Sequence, residues 1–260
     1  MVKGLYTAYT GMIEEMRRMD VMTNNLANAS TTGYKKEGTV NQSFDDQLAL
    51  KIKDRSEVLR AKRLGDVNLG VKVGETYRDY SQGSFSVTDN PYDLALDGNG
   101  FFAIEFRNKN GETSIKYTRD GSFKVDPQGY LVTNSGEYVM GTNTQTGNSE
   151  RIYVGTDLIS ISPDNSVMIN GENKYKFNIV DFENYDNLTK YGNNLYKGEG
   201  GFNSNNYSIK QKYLEGSNVD SINEIAMMME TVNEFEANQK VIQTIDSILG
   251  QIASDIGRVK

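Results

Sequence analysis

The two ends of this 260-residue chain carry large apolar side chains at helical spacing, whereas the long region between them does not. Near the start, these side chains alternate in steps of four and three residues. They are Leu5, Tyr9, Met12, Met16, Met19 and Leu26, with Thr23 filling the gap. A 3.5-residue repeat describes a narrow seam that packs against another helix. The pattern predicts a helix over residues 3–29.

A second apolar repeat follows Ser221 and Glu224, whose spacing is that of a helix capping box. Its members are Ile225, Met228, Met229, Val232, Phe235, Ile242, Ile245, Leu249, Ile252 and Ile256. The register shifts between Phe235 and Ile242, so the seam is imperfect. The pattern predicts a helix of about 35 residues, roughly 50 Å long at a rise of 1.5 Å per residue.

Turn signals and short β-type runs fill the centre of the chain. Pairs such as Asp97-Gly98 and Asn170-Gly171 recur at short intervals, with alternating aromatic and β-branched residues between them. These features predict meandering antiparallel strands rather than βαβ units.

Together the patterns predict an α+β fold. Residues 1–29 and 221–260 are expected to form a coiled-coil-like helix pair, and residues 67–220 a central antiparallel β-rich domain. Residues 30–66 are polar and are interpreted as an extended connector, in which residues 44–50 could form a short helix.

The composition excludes several classes of function. The chain contains no Cys and no His, which removes Ser-His-Asp and Cys-His catalytic groups, thiolate metal sites and imidazole ligands. Its net charge of −7 disfavours binding to nucleic acid. No apolar run approaches the roughly 20 residues that span a bilayer, and no signal-peptide core is present. We expect no enzyme activity, no cofactor, no metal and no membrane insertion.

Two kinds of polar motif resemble functional sites, namely adjacent acidic pairs and a Gly-x-Gly run. Neither has the geometry that a catalytic or phosphate-binding site needs. Glu14-Glu15 and Asp45-Asp46 are adjacent pairs, and neighbouring side chains diverge on a helix or strand, so we interpret both pairs as surface charge. The run at residues 97–100 has a lone Gly-x-Gly without the third glycine of a phosphate-binding loop.

The terminal helices carry more apolar surface than one helix pair can bury. Residues 226–229 place large side chains at consecutive positions, about 100° apart around a helix. A two-helix hairpin that closes the domain would leave several of them in water. Burial against further copies of the chain resolves this, since a head-to-tail contact that does not close produces a filament. A membrane-surface helix is the alternative for the N-terminal segment, but such helices carry a basic polar face that is lacking here.

Nine stretches of the chain resemble the signature motifs of flagellar rod and hook proteins. They are GLYTA at 4–8, GM at 11–12, NNLAN at 24–28, TTGYK at 31–35, DLALDGNGFF at 93–102, YTRDGSF at 117–123, GYLVT at 129–133, NLY at 194–196 and EGSNVD at 215–220. These landmarks span nearly the whole chain. Length and central motifs are closest to the distal rod member of the family, followed by the proximal rod member and then hook-type subunits.

The resemblance implies a structural subunit of the basal body. The terminal helices would pack as an inner tube around a channel, and the β-rich domain would form an outer layer. The partners implied are further copies of the chain, other rod and hook proteins, the flagellar type III export apparatus and, where an outer membrane exists, ring proteins. Export would occur without a cleaved signal peptide.

The candidate functional residues are therefore the two apolar seams, as subunit interfaces, and the family box of Asn24, Asn25 and Asn28. These amides could cap the end of the first helix locally or bond to a neighbouring subunit, and both roles can hold. Outside this family, a helix-stalked adhesin or glycan-binding module and a cell-wall glycan hydrolase stay as alternatives.

Overall fold

The computed structural model describes residues 2–45, 47–51, 62–68, 70–192, 194–204 and 206–258. Within these residues the α-helices are α1 (Val2–Ala27) and α2 (Ser221–Arg258), and a short 3-10 turn covers Tyr185–Asn187. The strands are β1 (Glu37–Ser43), β2 (Gln47–Lys51), β3 (Lys62–Val67), β4 (Val71–Arg78), β5 (Phe85–Val87), β6 (Leu94–Gly98), β7 (Phe101–Arg107), β8 (Thr113–Thr118), β9 (Phe123–Val125), β10 (Leu131–Thr133), β11 (Tyr138–Asn143), β12 (Ser149–Arg151), β13 (Ile159–Ile161), β14 (Ser166–Ile169), β15 (Glu172–Phe177), β16 (Ile179–Asp181), β17 (Thr189–Lys190), β18 (Leu195–Lys197), β19 (Phe202–Asn203), β20 (Tyr207–Gln211) and β21 (Tyr213–Glu215).

The chain forms two compact units. The helical unit consists of Met1–Ala27, Glu37–Asp79 and Asp220–Lys260. The β unit consists of Asn28–Lys36 and Tyr80–Val219. Residues 37–79, which the sequence divides between a connector and the β-rich domain, therefore group with the helices.

The ends of both helices follow from local signals. α1 ends at Ala27, and the turn after it includes Gly33, which has a left-handed backbone (φ 65°). α2 begins one residue after Asp220, whose Oδ1 accepts hydrogen bonds from the backbone N–H of Ile222 (3.0 Å) and Asn223 (3.4 Å). Asp220 is therefore the N-cap, one residue earlier than the predicted capping box, and its charge suits the positive end of the helix dipole.

Two strand pairs form most of the described part of the predicted connector. β1 pairs antiparallel with β4, from Glu37 opposite Arg78 to Ser43 opposite Val71, with an irregularity after Val40. β2 pairs with β3. The short helix considered for residues 44–50 is wrong, because β2 lies there. Residues 46 and 52–61 of that connector lie outside the described residues.

The β unit is built on one large sheet. Among its described strands the main path runs β13-β14-β15-β11-β7-β8-β18-β17, and β6 and β5 pair separately with β20 and β21. Every described pairing is antiparallel. Tight turns join neighbouring strands, and Asn170 (φ 54°) and Gly171 (φ 82°) connect β14 to β15 in the manner of a type I′ turn.

Alternating strand residues supply the core of the β unit. Its members include Leu94, Leu96, Phe102, Ile104, Phe123, Leu131, Val139, Ile152 and Phe177, all at most 3% exposed. Phe102 meets Phe123 and Phe177 edge to face, at ring-centre distances of 5.2 and 5.7 Å. Two helices with a large antiparallel β-rich part confirm the predicted α+β class.

Candidate subunit interface

The two helices of the helical unit run antiparallel and contact each other through small α1 residues. A methyl group built at Gly11 would lie 3.1 Å from Asn238 Nδ2, and one built at Gly4 would lie 3.7 Å from Ile245 Cδ1. The two glycines are seven residues apart, as are their α2 partners. Because glycine has no side chain, α2 approaches the α1 backbone closely here.

The contact continues along one row of α1, which we call the inner row. It consists of Gly4, Ala8, Gly11, Glu15, Arg18 and Met22, again in steps of four and three. Met22 is 7% exposed, and its sulfur lies 3.9 Å from Thr231 Oγ1 of α2. Arg18 lies 3.6 Å from Glu234 Oε2. The inner row therefore joins α2 through small, charged and single apolar residues rather than through the predicted seam.

The predicted α1 seam lies one position further along, about 100° around the helix. We call this set, defined as Leu5, Tyr9, Met12, Met16, Met19 and Leu26, the outer row. None of its members is buried, and Tyr9 and Met16 are 51% and 46% exposed. Two of these apolar side chains, Tyr9 and Met16, thus stay exposed when the helix pair has formed, and the other four are half-buried. Their role as a subunit interface stays a prediction.

The predicted α2 seam divides into two groups. Met228, Phe235, Ile242 and Ile245 are half-buried. The other members are exposed, Met229 at 62% and Ile256 at 70%; they are Ile225, Met229, Val232, Leu249, Ile252 and Ile256. Each terminal helix therefore presents apolar side chains that its own unit leaves in water, which is typical of an interaction surface.

The acidic pair on α1 is buried, so its interpretation as surface charge is wrong. Glu14 and Glu15 are 3% and 8% exposed, and within the described residues Glu14 Oε1 and Glu15 Oε2 accept no hydrogen bond. Burial, together with the neighbouring carboxyl groups of Glu14 and Glu234, raises the pKa of Glu15 to about 8. Arg18 is the nearby cation, 3.8 Å from Glu15 Oε2. The sequence hides this, because the burying surfaces come from distant parts of the chain: Glu234 of α2 lies near Glu15, and Phe44 and Val71 lie near Glu14.

The Asn box holds local structure at the end of α1. Asn25 is 1% exposed, and its Nδ2 donates to the carbonyl of Glu37 (2.7 Å) while its Oδ1 accepts from the Glu37 N–H (3.0 Å). This paired contact fixes the start of β1 beside α1. Asn28 Oδ1 accepts from Thr31 Oγ1 in the following turn (3.2 Å), and Asn24 is half-buried. Asn25 therefore joins α1 to β1, and the predicted roles of the Asn box as a helix cap and in an interface between subunits stay predictions.

A buried ion cluster lies in the β unit, and the sequence search for sites missed it. Glu215 is 1% exposed; its Oε1 accepts from Lys35 Nζ (2.6 Å) and the Gly83 N–H (3.0 Å), and its Oε2 accepts from Arg119 Nε (2.6 Å). Lys35 also donates to the carbonyl of Ser81 (2.7 Å). Buried charges cost free energy unless they are paired and hydrogen-bonded, and each of these charged groups has both kinds of partner.

The remaining donors of Arg119 explain the Asp-Gly-Asn-Gly run. The guanidinium donates to the carbonyls of Leu96 (3.1 Å), Gly98 (2.5 Å) and Gly100. Gly98 and Gly100 have φ of 111° and 118°, a region that favours glycine. The two glycines therefore turn their carbonyl groups toward an arginine, which is a structural use and not phosphate binding.

The segment that follows α1 packs tightly into the same unit. A Cβ at Gly33 would lie 2.6 Å from the backbone nitrogen of Asp120, so no larger residue fits. Thr32 Oγ1 donates to Asp120 Oδ1 (2.8 Å), and the carbonyl of Thr32 accepts from Asn194 Nδ2 (2.6 Å). Residues 31–35 are thereby fixed to the β unit from several sides.

Other kinds of site find no support in the described part of the chain. There, no group of three or more acidic, His or Cys side chains is arranged to hold a metal ion. Neither described helix combines the length and apolar character that a bilayer span requires.

Comparison with known proteins gives matches along the whole chain. Three family sequence models match: "Flagella basal body rod protein" at residues 5–35, "Flagellar hook protein FlgE/F/G D1 domain" at 95–171 and "Flagellar basal body rod FlgEFG protein C-terminal" at 210–255. The chain is 33% identical to the flagellar basal-body rod protein FlgG of Buchnera aphidicola, over 97% of this chain and 99% of that protein. It belongs to the flagellar basal-body rod protein family.

Two proteins of Bacillus subtilis have a similar sequence identity to this chain. The flagellar hook-basal body complex protein FlhO is 32% identical over 100% of both chains. The flagellar basal-body rod protein FlgG is 31% identical, over 98% of this chain and 99% of that protein.

The three matched segments of the rod family meet at the buried ion cluster. Lys35 lies in the first segment, Arg119 in the second and Glu215 in the third. The cluster thus joins parts of the chain that are up to 180 residues apart. The outer row of α1 lies in the first segment, and the exposed seam residues of α2 lie in the third, except Ile256, which is one residue beyond it.

Proposed function

We propose that this chain is a structural subunit of the distal rod of the flagellar basal body and that it polymerises through its two terminal helices into the hollow axial shaft. One observation carries the proposal. The helix pair closes through the inner row, while the outer row of α1 and the exposed half of the α2 seam keep large apolar side chains in water. Neighbouring copies of the chain are the partners that bury them.

We further propose that the two helices form a coiled-coil-like pair. Seven-residue spacing on both helices supports this: Gly4 and Gly11 on α1 lie opposite Ile245 and Asn238 on α2. Such spacing keeps a contact on one side of each helix over several turns.

The proposed partners follow from the family and from this surface. Membership of the rod family supports assembly with other rod and hook proteins in the basal body. We also propose that the chain passes through the flagellar type III export apparatus without cleavage. Where an outer membrane exists, the proposed partners include ring proteins around the shaft. Its role is structural and not catalytic, as its relatives are named as rod and hook-basal body proteins.

A second assignment places the chain at another level of the axis. The full-length similarity to FlhO, a hook-basal body complex protein, favours a proximal rod or hook-type position as the alternative. Electron microscopy of isolated basal bodies with this subunit labelled separates the two: label just below the hook supports the distal rod, and label elsewhere along the axis supports the alternative.

Charge substitutions on the exposed apolar side chains test the proposal. Met16→Asp or Met229→Asp is introduced into a strain that lacks the chromosomal gene, with Gln243→Asp as the matched control, since Gln243 is an exposed polar residue of α2. We expect the first two variants to be absent from isolated basal bodies and the cells to be non-motile, because a buried unpaired carboxylate opposes assembly. The control should swim.

The circular dichroism of each purified variant should match that of the unsubstituted chain, which separates assembly from folding. Normal swimming with Met16→Asp and Met229→Asp, both present in the basal body, would contradict the proposal.

A further inference from the structure

A half-exposed tyrosine of the β unit, Tyr153, borders a surface cavity of about 570 Å³. The cavity lies among the loop after β9, the loop after β12 and the strands β14 and β15. The side chains that line it include Asp126, Gln128, Tyr153, Asp157, Lys174 and Tyr175. Its volume falls within the range of about 300–1,000 Å³ that is usual for small-molecule sites. The cavity is therefore large enough to hold a ligand.

Two glycines and a second tyrosine hold the Tyr153 ring in place. A Cβ built at Gly129 would lie 2.9 Å from Tyr153 Cε2, and one built at Gly155 would lie 3.7 Å from Tyr153 Cε1. The N–H of Gly155 donates to the carbonyl of Gly129 (2.9 Å), which fixes the two glycines relative to each other. Tyr130 meets the ring edge to face at a ring-centre distance of 5.3 Å. The ring is thus restrained, while half of Tyr153 stays open for stacking.

Two aspartates of the cavity each use one carboxylate oxygen within the protein. Asp126 Oδ1 accepts from the N–H of Tyr130 (2.7 Å), and Asp157 Oδ2 accepts from Asn170 Nδ2 (2.7 Å). Within the described residues, the second oxygen of each carboxylate accepts no hydrogen bond. Each aspartate is therefore fixed by its own loop and keeps one acceptor for a ligand.

The third charged group of the cavity is the ammonium of Lys174. This side chain is half-buried, and it makes no hydrogen bond or ion pair with any other residue that the structure describes. The cavity thus offers two anionic acceptors and one cationic donor. A ligand of either charge would meet a like charge here, whereas neutral hydroxyl groups can donate to the carboxylates and accept from the ammonium.

We propose that this cavity binds a neutral saccharide. A pyranose ring has an apolar C–H face, which stacks on the open part of Tyr153, and hydroxyl groups at its edge, which bind Asp126, Asp157 and Lys174. Saccharide binding would be an activity of the β unit, in addition to the structural role of the chain. The site contains no residue of the terminal helices, so this inference does not rest on the proposed function.

Isothermal titration calorimetry of the purified full-length chain tests the proposal. The probes are cellotetraose and chitotetraose, two neutral tetrasaccharides that differ in their acetamido groups. We expect saturable binding of at least one of them. Tyr153→Ala should raise its Kd roughly tenfold or more, because truncating a central aromatic residue of a binding surface has effects of that size. Tyr153→Phe should keep most of the affinity, because it retains the ring.

A tyrosine outside the cavity provides the matched control. Tyr191 lies in the same unit, is 42% exposed and does not line the cavity, so Tyr191→Ala should leave the Kd unchanged. Lys174→Met keeps an unbranched side chain but removes the ammonium, and it should weaken binding. The near-ultraviolet circular dichroism of each variant shows whether the β unit is folded.

The contrary results are distinct. If neither tetrasaccharide binds at millimolar concentration, the inference is overturned. It is also overturned if Tyr153→Ala, correctly folded, binds the saccharide as well as the unsubstituted chain does, since the sugar then lies elsewhere. Binding of argininamide without binding of either tetrasaccharide would show a site for a cation instead. In all three cases the proposed function stands, because it depends on the terminal helices.

Discussion

In the β unit, the charges of Lys35, Arg119 and Glu215 are buried and paired, whereas in the helical unit large apolar side chains such as Met16 and Met229 stay exposed. The first unit pairs these three buried charges by itself. The second leaves surfaces that water does not favour, and its buried Glu14 and Glu15 carry oxygens that accept no hydrogen bond within the described residues.

The family motifs therefore contain residues of two kinds: those that stabilise the single chain and those that it leaves exposed. The TTGYK, TRDGSF and EGSN motifs contribute the three ionic side chains that close the β unit. The motifs at the helical ends contribute both a closing row, with Gly4 and Gly11, and an open row, with Leu5 and Met12. Motif residues therefore cannot be assigned to assembly by their motif alone; burial within the single chain separates them.

The largest expected effect is a loss of stability of the β unit when its buried ion cluster is broken. Glu215→Gln leaves the buried Lys35 and Arg119 without their carboxylate partner. Removing one member of a buried ion pair costs about 3–5 kcal/mol, so we expect a loss of this size in the free energy of unfolding of the β unit. Urea unfolding followed by the near-ultraviolet circular dichroism of the tyrosines measures it.

The matched control is Asp97→Asn, which removes an exposed ion pair with Lys210 (2.8 Å) in the same unit. Exposed pairs contribute about 0–1 kcal/mol, so the control should unfold almost as the unsubstituted chain does. Equal effects of the two substitutions would show that the buried cluster does not stabilise the β unit.

A smaller effect on stability distinguishes the inner row of α1 from the outer row. Met22→Ala removes a buried side chain from the inner row, and such truncations cost about 2–5 kcal/mol. Met16→Ala removes an exposed side chain and should change stability by less than about 0.5 kcal/mol. Thermal unfolding of the free subunit, followed by its helical circular dichroism, compares them. If Met16→Ala proves as costly as Met22→Ala, the outer row is already packed in the single chain.

The smallest expected effect concerns pH. The raised pKa of Glu15, about 8 instead of 4.5, means that the folded helix pair binds a proton that the unfolded chain releases at lower pH. The stability from this carboxyl group is therefore fully present below pH about 4.5 and is lost as the pH rises through about 8. The groups that face it are Glu14, Glu234 and Arg18.

We expect the helix pair of the free subunit to melt at lower temperature at pH 9 than at pH 6, and Glu15→Gln to remove most of this change. Glu236→Gln, at an exposed position of α2, is the control and should keep it. A pH response that survives Glu15→Gln would place its origin at another group.

The sequence predicted the elements better than their contacts. The α+β class and the antiparallel strands are confirmed, α1 ends two residues before its expected limit, and α2 begins at the expected residue. β1 was missed because its residues, such as Asn41 and Gln42, are polar and exposed. Its pairing depends on β4, whose paired residues are 28 to 41 positions away, and on the amide of Asn25, neither of which a local pattern contains.

The α1 residues that contact α2 lie one position away from the apolar seam that the sequence pattern picks out, and there is a physical reason for this. A search for apolar periodicity detects large side chains, and these form the outer row of α1. The inner row approaches α2 through Gly4, Ala8 and Gly11, which add little to any hydrophobic signal. Glu15 was misplaced for the same reason, since it lies on that row. In the β unit, Lys35, Arg119 and Glu215 were recognised within motifs, but nothing local shows that they converge.

Methionine oxidation by peroxide, read by mass spectrometry, tests the central claim most directly. Oxidation follows solvent exposure, and Met16 and Met229 are exposed in the single chain whereas Met22 is buried. We predict that Met16 and Met229 are oxidised rapidly in the free subunit and are protected in isolated basal bodies, while Met22 is protected in both. Equal oxidation of Met16 and Met229 in the free and the assembled states would contradict the account.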